Sequence, residues 1–197
     1  MTKLTLEDIA DLRAYERERE DFRAHIIELK TRRRVHVGPI LTFVFENRDT
    51  IRFQIQEMAR AEKILSDEGI EAELRAYNPL IPEAGQLSTT MFIELTSDDQ
   101  LRDWLPKLVG IERTVELRVG PDGEPIHCVV DPDHDKQLTR EEITASVHYV
   151  SFVLTPAQVA AFAAGPVVLA LTHPAYEDHL ELTEATRREL LADLQGS

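Results

Sequence analysis

The second half of the chain sets β-branched runs side by side with turns between them, and this restricts the architecture more than any other feature. Residues 114–119 and 126–130 flank Gly120-Pro121-Asp122-Gly123, a strong turn signal, so they predict an antiparallel hairpin. Residues 145–154, 166–171 and 176–182 read as further strands, with Val, Leu and aromatic side chains suited to a pleated surface. Only short helices intervene. Thr155-Pro156 opens one by cap and first-turn proline, Gly165 ends it, and a last helix is expected over 183–194. Strands that come in runs and hairpins, without strict alternation with helices, predict an α+β fold with a largely antiparallel sheet.

The first half supplies the helices. Thr5 caps a stretch over 6–12, and 16–33 carries Phe22, His25, Ile26 and Leu29 at helical spacing. Together they predict a helical arm over 1–35, packed on an α+β body within a single domain of 1–197. The arm ends in Lys30, Arg32, Arg33 and Arg34 before Gly38-Pro39. Cations there complement the helix dipole, which requires no bound phosphate. Strands are expected over 40–45 and 90–95, with Glu46-Asn47-Arg48-Asp49 as the turn after the first, and a Ser97-capped helix runs through Leu101, Trp104, Leu105 and Leu108 to Gly110. A short helix over 70–75 leads into 77–82, where two prolines predict an extended, rigid loop.

The helix expected between Asp49, as N-cap, and Gly69, as left-handed terminator, carries the main functional signal. Ile51, Gln54, Ile55, Met58, Ala61, Glu62 and Leu65 fall within an arc of about 120°, the width of a core-facing stripe. Phe53 and Ile64 project on a second flank with Glu57 and Arg60, so the helix is expected centrally, between sheet and arm. Gln54 and Glu62 are therefore headed inward. Each would cost on the order of a few kcal/mol if buried without a partner. In the architectural reading Glu62 pairs with Arg34 or Arg48 and Gln54 bonds a backbone group; in the functional reading both line a ligand or metal pocket. Glu57 with Arg60 reads as a surface or interface salt bridge.

Other candidates are fewer. His148 alternates with Val150, Phe152 and Leu154 on an apolar face, and His173 lies at a strand end. With Glu62 within reach they would form a minimal metal site, although no HxH, HExxH or ExxH spacing supports it. Asp131, Asp133, Asp135 and Glu142 mimic a calcium loop, but Lys136 stands where glycine is needed, so an acidic surface loop is the better reading. Cys128 is the only cysteine, which excludes an internal disulfide, a CxxC pair and a cysteine-ligated cluster within one chain. Its alternation with Ile126 and Val130 reads as a buried strand position. No phosphate loop, GxSxG or nucleotide fingerprint occurs. The net charge of -14 disfavours nucleic acid, and no apolar run reaches the roughly 18 residues of a membrane span. A cytoplasmic protein is the expectation.

Several longer strings carry a resemblance. They are Arg33-Arg34-Val35, Phe45-Glu46-Asn47-Arg48, Ile51-Arg52-Phe53-Gln54-Ile55-Gln56-Glu57-Met58 and Ala76-Tyr77-Asn78-Pro79-Leu80-Ile81-Pro82. Thr90-Met91-Phe92-Ile93-Glu94, Ala145-Ser146-Val147-His148 and His173-Pro174-Ala175-Tyr176 extend them over essentially the whole chain. In these the sequence resembles a bacterial family of domains of unknown function, DUF3501. The family brings no activity, cofactor or catalytic residue. The resemblance implies genes beside those of rubrerythrin-like di-iron proteins and iron-sulfur oxidoreductases, hence an accessory role near iron or peroxide chemistry.

Two expectations follow. The first is a non-catalytic accessory or binding protein that takes a protein partner, a second copy of the chain or a small ligand, through Arg48, Gln54, Gln56, Glu57, Glu62, Tyr77 and Asn78. The second is a metal-dependent enzyme or carrier of iron, zinc or manganese with Glu62, Glu57, His148 and His173 as ligands.

Overall fold

Two antiparallel sheets carry the architecture. One has the order β1-β2-β3-β7-β6, from β1 (Arg34–Val37), β2 (Leu41–Glu46), β3 (Gln86–Ile93), β7 (Val147–Val153) and β6 (Val129–Val130). The other has the order β5-β4-β8-β9, from β5 (Ile126–His127), β4 (Val115–Val119), β8 (Val167–His173) and β9 (Tyr176–Glu181). The structure, a computed structural model, describes residues 2–120, 123–130 and 143–196. Pro121, Asp122 and the acidic segment 131–142 lie outside the described residues.

The expected hairpin forms, with Leu117 opposite Ile126, but its second run divides between the sheets. β5 pairs with β4, the Cys128 amide still donates to the Val115 carbonyl at 3.0 Å, and the next two residues cross over to pair with β7. The two sheets pack face to face over Phe43, Phe45, Met91, Leu117, Phe152 and Leu169. Because successive side chains alternate, the other residues of β2, β3 and β7 face outward. That face is also covered, so all six residues of β2 are buried.

The cover is helical. α1 (Leu12–Arg33), α2 (Arg48–Glu62) and α3 (Asp67–Tyr77) come before β3; α4 (Asp98–Trp104), α5 (Pro156–Ala164) and α6 (Glu184–Leu194) come after it. Ile51 and Ile55 of α2 join Leu4, Leu74, Leu80 and Ile81 in a second apolar cluster. On the other flank of α2, Phe53 meets Phe22 of α1 edge to face at 5.6 Å. The helix thus sits between the sheet and the arm. Among the described residues no helix is long and apolar enough to cross a membrane.

Several boundaries differ from the sequence expectation. Asn47, not Asp49, caps α2. The helix stops at Glu62 because Lys63 turns left-handed (φ 56°) and the Ile64 amide closes back on the Ala59 carbonyl at 2.9 Å, a Schellman ending. Gly69 falls inside α3, which begins after Ser66. α1 starts at Leu12, capped by Asp11, and 6–8 is a single 3-10 turn. The loop after Tyr77 is likewise a 3-10 turn over Asn78–Leu80, whose first turn accepts Pro79.

Candidate functional site

Four of the polar residues expected to line a pocket instead fasten the N-terminal segment. The fully buried Gln56 amide accepts from the Ala10 N–H at 2.7 Å and donates to the Ala10 carbonyl at 3.1 Å. Asn78 repeats the device on Leu4, accepting at 2.8 Å and donating at 2.9 Å. Arg48 donates to Asp8, and Glu57 accepts from the Tyr15 hydroxyl at 2.7 Å and from Arg19 at 2.8 and 2.9 Å. An irregular segment has few partners of its own, so side-chain amides complete its backbone hydrogen bonds. Gln56→Leu is expected to lower stability by about 2 kcal/mol, since two bonds are lost and the Ala10 groups are left to water. Urea denaturation measures this, and a loss within about 0.5 kcal/mol would show that the clamp is dispensable.

The clamp is also acid-sensitive. The Arg19 guanidinium bonded to Glu57 holds its carboxyl below the usual value of 4.5, assisted by Tyr15 and opposed by burial. Asp8 is held low too, first by the Thr5 amide and then by Arg48. Folded-state values below the unfolded ones mean stability that is present above the ordinary carboxylate range and lost as pH falls through the depressed values. Hydrogen-exchange protection of α1 and residues 4–10 is therefore expected to fall on acidification before that of the two sheets. Simultaneous loss everywhere would contradict it.

Gln54 and Glu62 depart from the inward placement expected of them, since both are exposed. Glu62 stands on the line of the Ile51–Ile55–Ala59 stripe but in the last turn, past everything that covers it, as the 81% exposure of Leu65 also shows. It has no ion pair among the described residues, and Arg48 is engaged by Asp8. Gln54 lies at the edge of the stripe and reaches the rim of a cavity.

That cavity, about 230 Å³, lies between the outward face of the five-stranded sheet and the helices. Its floor is one ladder row, in which Arg34 stands opposite Val44, Val44 opposite Thr90 and Thr90 opposite Tyr149. Glu46 and Phe92 lie one step to either side. The roof consists of Lys30 from α1, Ile51 and Gln54 from α2, and Tyr77 and Leu80 from the end of α3 and its turn. Thr90 Oγ1 donates to Glu46 Oε1 at 2.6 Å, and the other Glu46 oxygen has no hydrogen bond among the described residues. Lys30, Arg34, Gln54 and Tyr77 likewise carry no side-chain hydrogen bond or ion pair among the described residues. Elsewhere on the arm and α2, Arg19, Arg32, Arg33, Arg52 and Arg60 are salt-bridged, whereas Arg13, Arg17 and Arg23 carry no ion pair among the described residues. Burial, then Tyr77 and Glu46, push the Tyr149 phenol up, so it stays protonated. Of the expected residues only Gln54 and Tyr77 line this space. Lys30, Arg34, Glu46, Thr90 and Tyr149 were missed as a group. Glu46 read as the start of a turn, yet it ends the Thr42-Val44-Glu46 alternation of a strand buried on both faces.

The residues expected to hold a metal are not brought together. His148 faces inward opposite Met91, on the side of the sheet away from α2 and Glu62, and His173 belongs to the other sheet. Glu57 is held in the arm clamp. His148 Nε2 meets the Ala145 carbonyl at 2.9 Å and Thr144 Oγ1 at 2.8 Å, while Nδ1 faces the buried Glu112 at 4.0 Å. In His173, Nδ1 accepts from the Ala175 amide at 3.2 Å, so Nε2 bears the proton and donates to the Val109 carbonyl at 3.2 Å. Both of its ring nitrogens are used. Among the described residues no three His, Cys, Asp or Glu side chains cluster as a metal site. Cys128 sits half-buried, its Sγ against the Glu112 carbonyl at 3.0 Å, and burial pushes its thiol up to about 11. It is a structural cysteine rather than a nucleophile.

Fold and cavity together define an α+β protein in which two antiparallel sheets are stacked and the outer face of one is roofed by helices. The chain belongs to the family described as "Protein of unknown function (DUF3501)", which matches residues 3–194. It is similar to a novel protein of unknown function from Burkholderia pseudomallei, solved as a crystal structure, with 38% identity and a TM-score of 0.90 over 98% of this chain and 100% of that one. No curated protein matches the sequence.

Proposed function

We propose that the protein is a non-catalytic binding protein whose site is the cavity between the outer sheet face and α1, α2 and α3. One observation carries this reading. Four polar side chains from separate elements and one oxygen of a buried carboxylate converge on a single cavity and find no hydrogen-bond partner among the described residues. Arg34 and Gln54 stand at the exposed mouth, Lys30 and Tyr77 are half-buried and Glu46 is buried, and a few polar groups convergent on a pocket with apolar and aromatic walls are the usual mark of a small-molecule site. At about 230 Å³ the space equals on the order of eight water molecules, so the ligand is small. The family resemblance adds the expected setting, an accessory role beside iron or peroxide chemistry.

The test is a small-molecule fragment screen followed by amide NMR shifts. Hits are expected to move the Thr90 and Tyr149 amides. Gln54→Trp, which fills the rim from an exposed helix position, is expected to weaken them at least about tenfold with little change in melting temperature. Hits that map elsewhere, or that ignore Gln54→Trp, would refute the reading.

A further inference from the structure

The cavity holds fixed charges of both signs that do not neutralise each other. Glu46 is 8% exposed and Thr90 is its one side-chain hydrogen-bond donor among the described residues, although a carboxylate offers about four acceptor positions. Lys30 and Arg34 are more than 4.0 Å from it and form no ion pair among the described residues. The backbone enforces part of this separation. Arg34 stands opposite Val44, so Glu46 is its diagonal neighbour, a spacing of about 7–8 Å between backbone positions.

From this we infer that the cavity recognises a small zwitterion, a molecule with an ammonium and a carboxylate on one carbon and an apolar or aromatic body, as in the larger α-amino acids. This rests on the cavity being a ligand site. The ammonium is a compact set of three donors that suits the open Glu46 oxygen, with Gln54 and Tyr77 offering further polar contacts near the rim. The carboxylate accepts from the exposed Arg34 and the half-buried Lys30, whose side chains have no acceptor among the described residues. Ile51, Leu80, Phe92 and the faces of Tyr77 and Tyr149 then surround the body of the ligand.

Long-range electrostatics points the same way. A chain of net charge -14 repels a bare carboxylate on approach, whereas a zwitterion carries no net charge to be repelled. A simple anion would moreover leave Glu46 buried beside a second negative charge, and a simple amine would leave Lys30 and Arg34 facing a third cation. Of the three, the ligand with both groups is the one that offers a partner to Glu46, Lys30 and Arg34 together.

The experiment is calorimetric titration of the full chain with the common α-amino acids. The tightest binder is then compared with its own deaminated acid and decarboxylated amine. The amino acid is expected to bind about tenfold to a hundredfold tighter than either truncated probe. Glu46→Gln should erase the advantage over the acid while leaving binding of the acid unchanged or improved. Lys30→Gln and Arg34→Gln should erase the advantage over the amine. Circular dichroism and urea midpoints confirm that each variant is folded. An acid or an amine that binds as tightly as the amino acid overturns the inference. If no amino acid binds while fragments still occupy the cavity in a Gln54→Trp-sensitive manner, the zwitterion assignment falls and the binding site stands. If neither amino acids nor fragments bind, both fall.

Discussion

Asp193→Asn is expected to destabilise the protein by about 3–5 kcal/mol, the cost of leaving a buried charge without its counter-ion. Arg33 ends α1 at 2% exposure, and its guanidinium forks onto Asp193 at 2.7 and 2.8 Å, with Nε on Glu189 at 3.0 Å. Asparagine keeps the shape and one acceptor but removes the charge. Glu189 remains and is partly exposed, which places the expectation toward the lower end of that range. The double variant Arg33→Met with Asp193→Leu should return to within about 1–2 kcal/mol of wild type, because an apolar pair of similar volume replaces both desolvated ions. Urea denaturation of wild type, Arg33→Met, Asp193→Leu and their double variant gives the coupling directly. A single-variant loss under about 1 kcal/mol would show that Glu189 alone neutralises Arg33.

Tyr15→Ala is expected to cost about 3–5 kcal/mol, as for other large buried rings cut back to alanine. Tyr15 is fully buried between α1 and α2, and its hydroxyl donates to Glu57 at 2.7 Å. Burial, reinforced by Glu57, raises the phenol far above its normal range, so it serves only as a donor. Tyr15→Phe isolates that bond and should cost about 1–2 kcal/mol, since Arg19 still holds Glu57. The two variants divide the arm's attachment into packing and polar parts. Hydrogen exchange should locate the change in the N-terminal half of α1, because Arg33 anchors the other end. Equal losses for the two variants would mean that the ring contributes nothing beyond its hydroxyl.

Local patterns read the elements well where burial follows the period of one element. The hairpin around residue 120, the cap-and-proline start of α5 and the Thr183 cap of α6 all occur as their residue types require. Placing His148 among core residues also succeeded, because alternation along β7 depends only on which face meets the other sheet. The site was harder to see. Of its polar lining only Gln54 and Tyr77 were anticipated, and Gln54 for the wrong reason: it was expected inside a stripe and instead stands at a rim. Gln56 and Asn78 belong to the most distinctive strings of the sequence, yet their partners are the backbone of residues 4 and 10. Nothing in the spacing of a glutamine announces such a bond, since the acceptor and donor lie 46 residues away in an irregular segment.

The sequence by itself determined the α+β class, the antiparallel strands, the helical arm and the central place of α2, because each depends on short-range periodicity and turn chemistry. The tertiary structure decided where α2 loses its cover, which amides clamp the N-terminal segment, and that Glu46, Thr90, Arg34 and Lys30 share one cavity. The physical reason is the range of the interactions. Patterning fixes which face of an element is buried, whereas a binding site is made where faces of elements distant in sequence meet. Whether a charge there finds a partner depends on every neighbour at once. Glu62 lies on the right line of its helix and in water; Glu46, read as part of a turn, is the carboxylate that the fold encloses.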